Sequence, residues 1–461
     1  MTAEQLKNLP PVDAVLALPN VVKLVEEVGR SRVVTAIRQA VDTVRSSILN
    51  EQISDNTAIN PETILKKAEE LIAQSSSAIL KPAINATGII LHTGLGRAVM
   101  PETAREALSC LTGYCNIQMD LSTGNRIKRE ENIRDLINDL TGAEDVLLVN
   151  NNAGATLLTL KALAEHGEVI VSRGELIEIG GSFRLPEIME QSGAVMKEVG
   201  STNKTHLRDY KKALSDKTAL LFKAHKSNYQ IVGFSKEVDI SEIAALGKEH
   251  NIPVVDDLGC GALINIEQFG LPHEMTVRES LEAGSDITLF SSDKLIGGPQ
   301  GGLIVGKKEL LDKIRSHPLY RALRVGKMTL AALESTLRLF KSPEHLSQKH
   351  PVYIMLSKTP EEIKIQAEKL AKLISAKKPK WSISVVEEKS YIGGGTAPDS
   401  SLPSFAVSIS DPSESTNDLA KQLRQAETPI IPHVREDAVL LNMRTVFSEE
   451  EKDILKAVTK S

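Results

Sequence analysis

The chain has 461 residues, 41% of them hydrophobic and 25% charged, and a net charge of -5. That length implies two or three domains with a substantial shared interior. The balance excludes disordered and fibrous classes, and the acidic total excludes a protein held to nucleic acid by bulk charge, leaving only local basic patches for that purpose.

Cys110, Cys115 and Cys260 make no disulfide framework and no zinc-ligand spacing, so a reduced compartment and no metal are expected. The N-terminus, MTAEQLKNLPPVD, lacks a basic segment followed by an apolar one. No run approaches the roughly 18 apolar residues of a membrane span. A cytosolic protein is expected.

In chain order, Ile37, Ala40, Val41, Val44 and Ile48 recur at helical spacing, which predicts helix over 20–50 with one buried face. Arg38 and Arg45 share a face, with Asp42 four residues after Arg38. A solvated face with an ion pair and an RNA-contacting face both fit. Residues 51–80 read as further helix with Pro61 near its start, giving an N-terminal helical domain over 1–80.

The middle changes character. DVLLVN (145–150), EVIVS (168–172), TALLFKAH (218–225), IPVVDD (252–257), ITLFSS (287–292) and GLIVG (302–306) read as buried strands. Helical patterns such as TLLTLKALAEHG lie between them, with Gly167 as an expected C-terminal cap. That alternation predicts an α/β fold with a mostly parallel sheet. From about 341 a lysine-rich helix, SISVVEE, a Gly393-Gly394-Gly395 turn, SFAVSIS, another helix, VLLNMRTV and a last helix describe a small α+β unit.

Three features of the middle region suit chemistry. The strand DVLLVN runs through Asn150, Asn151, Asn152, Ala153 and Gly154 into an apolar helix. Small residues at a helix N-terminus suit a phosphate, and a structural turn with an asparagine cap fits the same letters. The GxGxxG spacing of a dinucleotide site is absent. Asp256 and Asp257 end a strand, where open parallel sheets keep ligands, and alternation turns only one of them toward a site; a helix N-cap is the competing role.

Lys294 follows ITLFSS at another carboxyl end, with Gly297, Gly298 and Gly301 after it. A Schiff-base lysine must be partly desolvated, and glycines beside it leave room for a planar ring. Lys223 and Lys226 compete but lack the acid before and the glycines after. Two look-alikes fail: Gly301 to Gly306-Lys307 lacks the Ser/Thr of a phosphate loop, and Ser291-Ser292-Asp293-Lys294 lacks a following KTG. An anion turn, a strand-end aspartate and a strand-end lysine, in that order on a parallel sheet, are the handles of pyridoxal phosphate.

The stretches LPPVDAVL, INATGIILHTGLGRA (84–98), RGELIEIGGSFRLPEIM (173–189), GSTNKTHLRDY (200–210), VVDDLGCGALI, SSDKLIGGPQGGLIVGKKE and LYRALRVGKMTLAALE (319–334) span nearly the whole chain. Together they resemble the bacterial selenocysteine synthases, the L-seryl-tRNA(Sec) selenium transferases, among fold-type-I pyridoxal phosphate enzymes. The resemblance implies an N-terminal tRNA-binding domain (1–80), a large cofactor-binding catalytic domain (81–340) and a small C-terminal α+β domain (341–461).

It implies that seryl-tRNA(Sec) displaces Lys294 from pyridoxal 5'-phosphate, that the freed amine takes the α-proton, and that loss of the β-hydroxyl gives a dehydroalanyl-tRNA to which selenium from selenophosphate adds. It places Asp257 at the pyridine nitrogen, with Asp256 as the alternative, and Asn152, Ala153 and Gly154 at the phosphate. Arg97, Arg321 and Arg324 would bind the anionic donor. Asp293 would tune the lysine, orient water loss or merely cap a turn, and Cys260 is expected to have no catalytic part.

The resemblance also implies a cytoplasmic homo-oligomer, a ring of dimers amounting to a homodecamer. Residues 1–50 hold Lys7, Lys23, Arg30, Arg32, Arg38 and Arg45 against Glu4, Asp13, Glu26, Glu27 and Asp42. So small a basic excess leaves tRNA recognition to shape and to residues gathered from several subunits. Two other functions are kept: a pyridoxal phosphate lyase or racemase acting on a small free amino acid, and a non-catalytic RNA-binding protein on an inactive fold.

Overall fold

The computed structural model describes residues 6, 8–50, 59–76, 79–180, 183–435 and 437–460. Packing divides the chain into two units, Met1–Pro82 and Ala83–Ser461.

The first unit is helical: Val12–Leu16, Pro19–Val28, Arg30–Leu49 and Pro61–Ser76. Val33, Ile37, Ala40, Val44 and Ile48 form one stripe of the third helix and share a core with Ile64, Leu65, Ala68 and Ile72 of the fourth, as a 3.6-residue period requires. The predicted helix over 20–50 is two helices, because Gly29 at φ 86° ends one and begins the next. Pro61 is the first residue of its helix, whereas 51–58 of the predicted 51–80 stretch lie outside the described residues. Asp42 pairs with Arg45, three positions on, and both side chains are exposed.

The strands of the second unit are β1 (Ile84–Ala86), β2 (Ile89–Leu91), β3 (Asp145–Val149), β4 (Glu168–Ser172), β5 (Glu178–Ile179), β6 (Phe183–Arg184), β7 (Val195–Val199), β8 (Thr218–Ala224), β9 (Val254–Gly259), β10 (Ile287–Ser291), β11 (Gly302–Gly306), β12 (Ser382–Gly393), β13 (Thr396–Ser410), β14 (Ile430–Arg435) and β15 (Ala438–Asn442). The central sheet has the order β3-β11-β10-β9-β8-β4-β7. Every neighbouring pair in it is parallel except the two made by β11.

Side chains alternate across the sheet. Leu147, Val149, Leu289 and Ile304 share a core with Leu158 and Leu311 of helices Asn152–Ala164 and Lys308–Ser316. Val146, Leu148, Phe290 and Leu303 belong to a second core with Ile133, Ile137 and Leu333. Burial on both faces produces the continuous apolar runs of these strands. The edge strand β7, half-exposed along most of its length, has no such run.

Gly167 is not the cap of its helix. The left-handed residue there is His166, at φ 63°. Gly167 is required by packing instead, since a Cβ would sit 2.6 Å from that of Ala219 on β8.

A second sheet has the order β1-β14-β15-β13-β12-β2. Helices Pro360–Lys377, Thr416–Arg424 and Glu451–Lys460 join its apolar face through Leu370, Leu419 and Ile454. β1 and β2 pair in parallel with β14 and β12, so residues 84–91 carry the chain across this C-terminal sheet before the central sheet begins.

In the central sheet β3, β8, β9 and β10 run in one sense. Their carboxyl ends therefore lie along one edge, where Asn151, His225, Asp257 and Lys294 follow or end the strands.

Candidate active site

A cavity of about 380 Å³ opens at that edge. Asn151, Asn152 and Ala153 line it after β3, His225 and Ser227 after β8, Asp257 and Gly259 on β9, and Asp293 and Lys294 after β10. Arg97 and Thr93 come from the loop after β2, and Ile177, Ile179 and Phe183 supply an apolar wall from the β5–β6 hairpin.

Lys294 is 5% exposed. Burial holds its ammonium below the ordinary lysine range, aided by Arg97 and opposed by Asp257 and Asp293. The neutral, nucleophilic amine is therefore closer to reach at neutral pH. Gly297, Gly298 and Gly301 do not line the cavity, contrary to the expectation that they make room for a ring. They let buried backbone pass close to its neighbours: at Gly297, φ 69°, a Cβ would meet the ring of His350 at 2.1 Å, and at Gly301 it would meet Ser292 Oγ at 2.7 Å.

Alternation on β9 separates the two aspartates. Asp257 lines the cavity; its Oδ1 accepts from Asn152 Nδ2 at 2.7 Å and from the Gly259 N–H at 3.2 Å, and its Oδ2 accepts from Thr156 Oγ1 at 2.9 Å. Burial pushes this carboxyl up while those donors and Lys294 oppose the shift. Asp256 faces the other way, accepting from Ser280 Oγ at 2.6 Å in a buried cluster with Ser285 and Thr288.

Burial raises Asp256 to about 7, opposed by Ser280 and Lys223 and reinforced by Glu175 and Asp257. Since its unfolded counterpart titrates near ~3.9, the folded state holds the extra proton between those values, and stability falls as pH rises through that window. Asp256→Asn keeps an acceptor for Ser280 and never ionises. It is expected to raise the melting temperature at about pH 8, with a gain that shrinks as pH approaches ~4; a fall at the higher pH in thermal denaturation would show instead that the attraction between ionised Asp256 and the nearby charge of Lys223 is net stabilising.

The turn after β3 combines both roles that its sequence allows. Asn151 caps helix Asn152–Ala164, its Oδ1 accepting from the Gly154 N–H at 2.8 Å. Asn152 and Ala153 line the cavity. Gly154 does not, and its N–H is consumed by the cap; a Cβ there would lie 2.9 Å from Asn150 Oδ1, so close packing explains the glycine.

Arg97 reaches the cavity and donates from Nη1 to Asp293 Oδ2 at 2.6 Å. It does so from a left-handed backbone, φ 64°, unusual for a residue with a Cβ. Arg321 and Arg324 are not in the lining. They stand with Arg129, whose own pKa is lowered first by burial and then by Arg324, with a smaller push from Arg321. Lys223 is bound to Glu175 behind the sheet and Lys226 to Glu237, so neither competing lysine opens on the cavity.

Three participants carry no sequence signal of their own: Thr156, one turn into the helix; His225; and Glu274, whose Oε1 accepts from Cys260 Sγ at 3.0 Å. Among the described residues no His/Cys/Asp/Glu group could hold a metal ion.

The family profile described as L-seryl-tRNA selenium transferase matches residues 83–447, and one described as selenocysteine synthase N terminal matches residues 6–45. The L-seryl-tRNA(Sec) selenium transferase of Carboxydothermus hydrogenoformans is 44% identical, covering 96% of this chain and 95% of that protein. The protein of the same name from Clostridium perfringens is 42% identical, with 99% of each chain covered. Among solved structures, D-glucosaminate-6-phosphate ammonia-lyase aligns with a TM-score of 0.57 at 18% identity, covering 85% of this chain and 97% of that one, a likeness of fold. With one profile spanning both sheets and relatives matching from end to end, the chain belongs to the L-seryl-tRNA selenium transferase family.

Proposed function

We propose that this protein converts L-seryl-tRNA(Sec) to L-selenocysteinyl-tRNA(Sec), with pyridoxal 5'-phosphate as cofactor and selenophosphate as selenium donor. The observation that carries the proposal is the meeting, in one cavity, of a desolvated lysine amine and a carboxylate fixed by three donors, in a chain matched end to end by relatives named for this reaction.

The residues fit the cofactor. Asp257 is a buried carboxylate that needs a cationic or N–H partner on its cavity side, and a pyridine nitrogen is such a partner. Asn152 Oδ1 and Ser227 Oγ are buried without a hydrogen-bond partner among the described residues, and the helix start at Asn152–Ala153 offers main-chain N–H groups to a phosphate. Lys294 would hold the cofactor covalently. Bound pyridoxal phosphate supplies an electron sink for the pair released from the substrate's Cα–H bond.

The chain's own groups then divide the work. The Lys294 amine, free once the seryl substrate is bound, would take the Cα proton. Asp257 holds its negative charge against the ring nitrogen, backed by Asn152 and Thr156. Asp293 keeps the Arg97 guanidinium extended into the cavity, where it can meet an anionic selenium donor. Arg321 and Arg324 lie outside their own chain's cavity, so on this reading they serve a neighbouring subunit in a homo-oligomeric ring of dimers, with Arg129 part of the same cationic group.

The unit up to Pro82 would hold the tRNA, by shape more than by charge, with 81–340 the catalytic domain and 341–461 the small domain. No helix among the described residues is long and apolar enough to cross a membrane, in keeping with work on a cytoplasmic tRNA.

Seryl-tRNA(Sec) with selenophosphate, offered beside free serine and other small amino acids, tests the proposal. Selenocysteinyl-tRNA(Sec) should form with no turnover of the free amino acids. Turnover of the free amino acids alone would replace the transferase with a lyase or racemase.

A further inference from the structure

His225 is bound into the sheet edge by its backbone, its N–H donating to the carbonyl of Asp257 at 2.9 Å. Its ring lines the cavity, with Nε2 3.4 Å from Glu274 Oε1. Nδ1 is buried and has no hydrogen-bond partner among the described residues.

Glu274 is 6% exposed and is paired with no lysine or arginine among the described residues. The groups facing it are the Cys260 thiol, which donates to it, and the His225 ring. A buried carboxylate so placed needs a proton or a positive charge beside it. A proton on Nε2 faces this carboxylate, and the acid form of the ring carries its second N–H at Nδ1. An imidazole set beside a carboxylate at one nitrogen, with the other left unmatched, is the arrangement of an acid–base group awaiting its substrate.

Resting on the transferase reading, we propose that His225 is the catalytic acid that protonates the departing β-hydroxyl of the seryl group, and that Glu274, itself held by Cys260, is its positioning residue. Lys294 first takes the Cα proton and leaves the Cα–H electron pair in the sink that bound pyridoxal phosphate would supply; in a second step that pair forms the Cα–Cβ double bond as the Cβ–O bond breaks. The oxygen leaves with its bonding pair and takes the Nδ1 proton, so the product is water rather than hydroxide. The neutral ring left behind can accept a proton from the selenium donor or from water, which returns it to its starting state. Lys294 thus handles the proton on Cα and His225 the proton delivered to the oxygen leaving Cβ, and the two steps can be separated by experiment.

Removing the acid should spare proton removal from Cα. In His225→Ala holoenzyme, selenocysteinyl-tRNA(Sec) formation is expected to fall by about 100-fold or more. Exchange of the seryl Cα hydrogen in deuterated water, read by mass spectrometry, should stay within about threefold of the unaltered protein. The visible absorbance of bound cofactor should be unchanged, and added imidazole should restore part of the transfer.

Glu274→Gln should reduce transfer less than His225→Ala and lower kcat with little change in KM for seryl-tRNA(Sec), because the amide still stands beside the ring but brings it no charge. The charged and titratable groups around His225 are Glu274 and Cys260 behind it, and Asp257, Lys294, Asp293 and Arg97 in the cavity it lines. All but Glu274 are untouched in that variant.

Parallel loss of exchange and transfer, or a changed cofactor spectrum, would make His225 a structural or cofactor-positioning residue and overturn the proposal. Undiminished transfer in His225→Ala would overturn it as well. If the unaltered holoenzyme neither exchanged nor transformed seryl-tRNA(Sec), the transferase reading itself would fall, and this proposal with it.

Discussion

Lys294→Ala is expected to abolish selenium transfer, with a loss of about 10⁴-fold or more, because on the proposed reading one side chain both anchors the cofactor and removes the Cα proton. The amine is 5% exposed and held below its ordinary pKa chiefly by burial, so alanine removes a group tuned for the neutral form. Lys294→Arg should be nearly as inactive: it keeps a positive charge but not a nucleophile, since guanidinium stays protonated.

Two measurements accompany the rate. Borohydride should fix pyridoxal phosphate to the peptide containing Lys294 in the unaltered protein and leave both variants unlabelled. Both variants should lose the visible absorbance of lysine-bound cofactor while their melting temperatures stay near that of the unaltered apoprotein. Labelling at Lys223 or Lys226 instead would move the anchor elsewhere, against the ion pairs that hold those lysines away from the cavity.

What the sequence discloses follows from burial. β3, β10 and β11 are covered on both faces, so their letters are apolar without interruption and read directly as strands. β7 escapes because an edge strand, half in water, mixes Lys197 and Glu198 into its run. The pairing of β1 and β2 with β14 and β12 joins residues more than 300 positions apart, and no local pattern encodes it.

The same contrast holds at the site. Lys294 is legible from its place after an apolar strand and the pair Asp256-Asp257 from theirs on another, whereas the choice of Asp257 within that pair, and Arg97 after its Gly94-Leu95-Gly96 turn, came from the resemblance. Arg321 and Arg324 were singled out by the resemblance, and the structure keeps both out of the lining of this chain's cavity. His225 and Glu274 are 49 positions apart and meet only because β8 lies beside β9 and the 270–276 segment returns behind it. Glycine was the least transparent letter: the glycines following Lys294 look like room for a ligand and prove to be room for His350 and Ser292.

Asp257→Asn is expected to lower turnover by about 10³-fold, the other large effect, because the carboxylate's charge is what makes a paired ring nitrogen stay protonated and withdraw electrons. Asparagine has nearly the same shape, so the change isolates charge from packing. It also turns one acceptor into a donor: Asn152 Nδ2, Thr156 Oγ1 and the Gly259 N–H all point at the carboxylate oxygens, and an amide cannot accept from all of them while presenting its own N–H₂. Cofactor affinity should therefore weaken by about tenfold, the scale of one lost charge-assisted hydrogen bond.

Asp256→Asn, one residue away on the opposite face of β9, is the matched control. It makes the same Asp-to-Asn change beside Ser280 rather than beside the cavity, and its turnover should stay within about threefold of the unaltered protein. Saturating cofactor distinguishes weak binding from a weak electron sink: a rate for Asp257→Asn that stays low when every site is filled locates the loss in chemistry. The reverse pattern, with Asp256→Asn inactive and Asp257→Asn active, would mean that the ring nitrogen is served from the far face of the strand, which the alternation of side chains along β9 forbids without a one-residue slip in its register with β8 and β10.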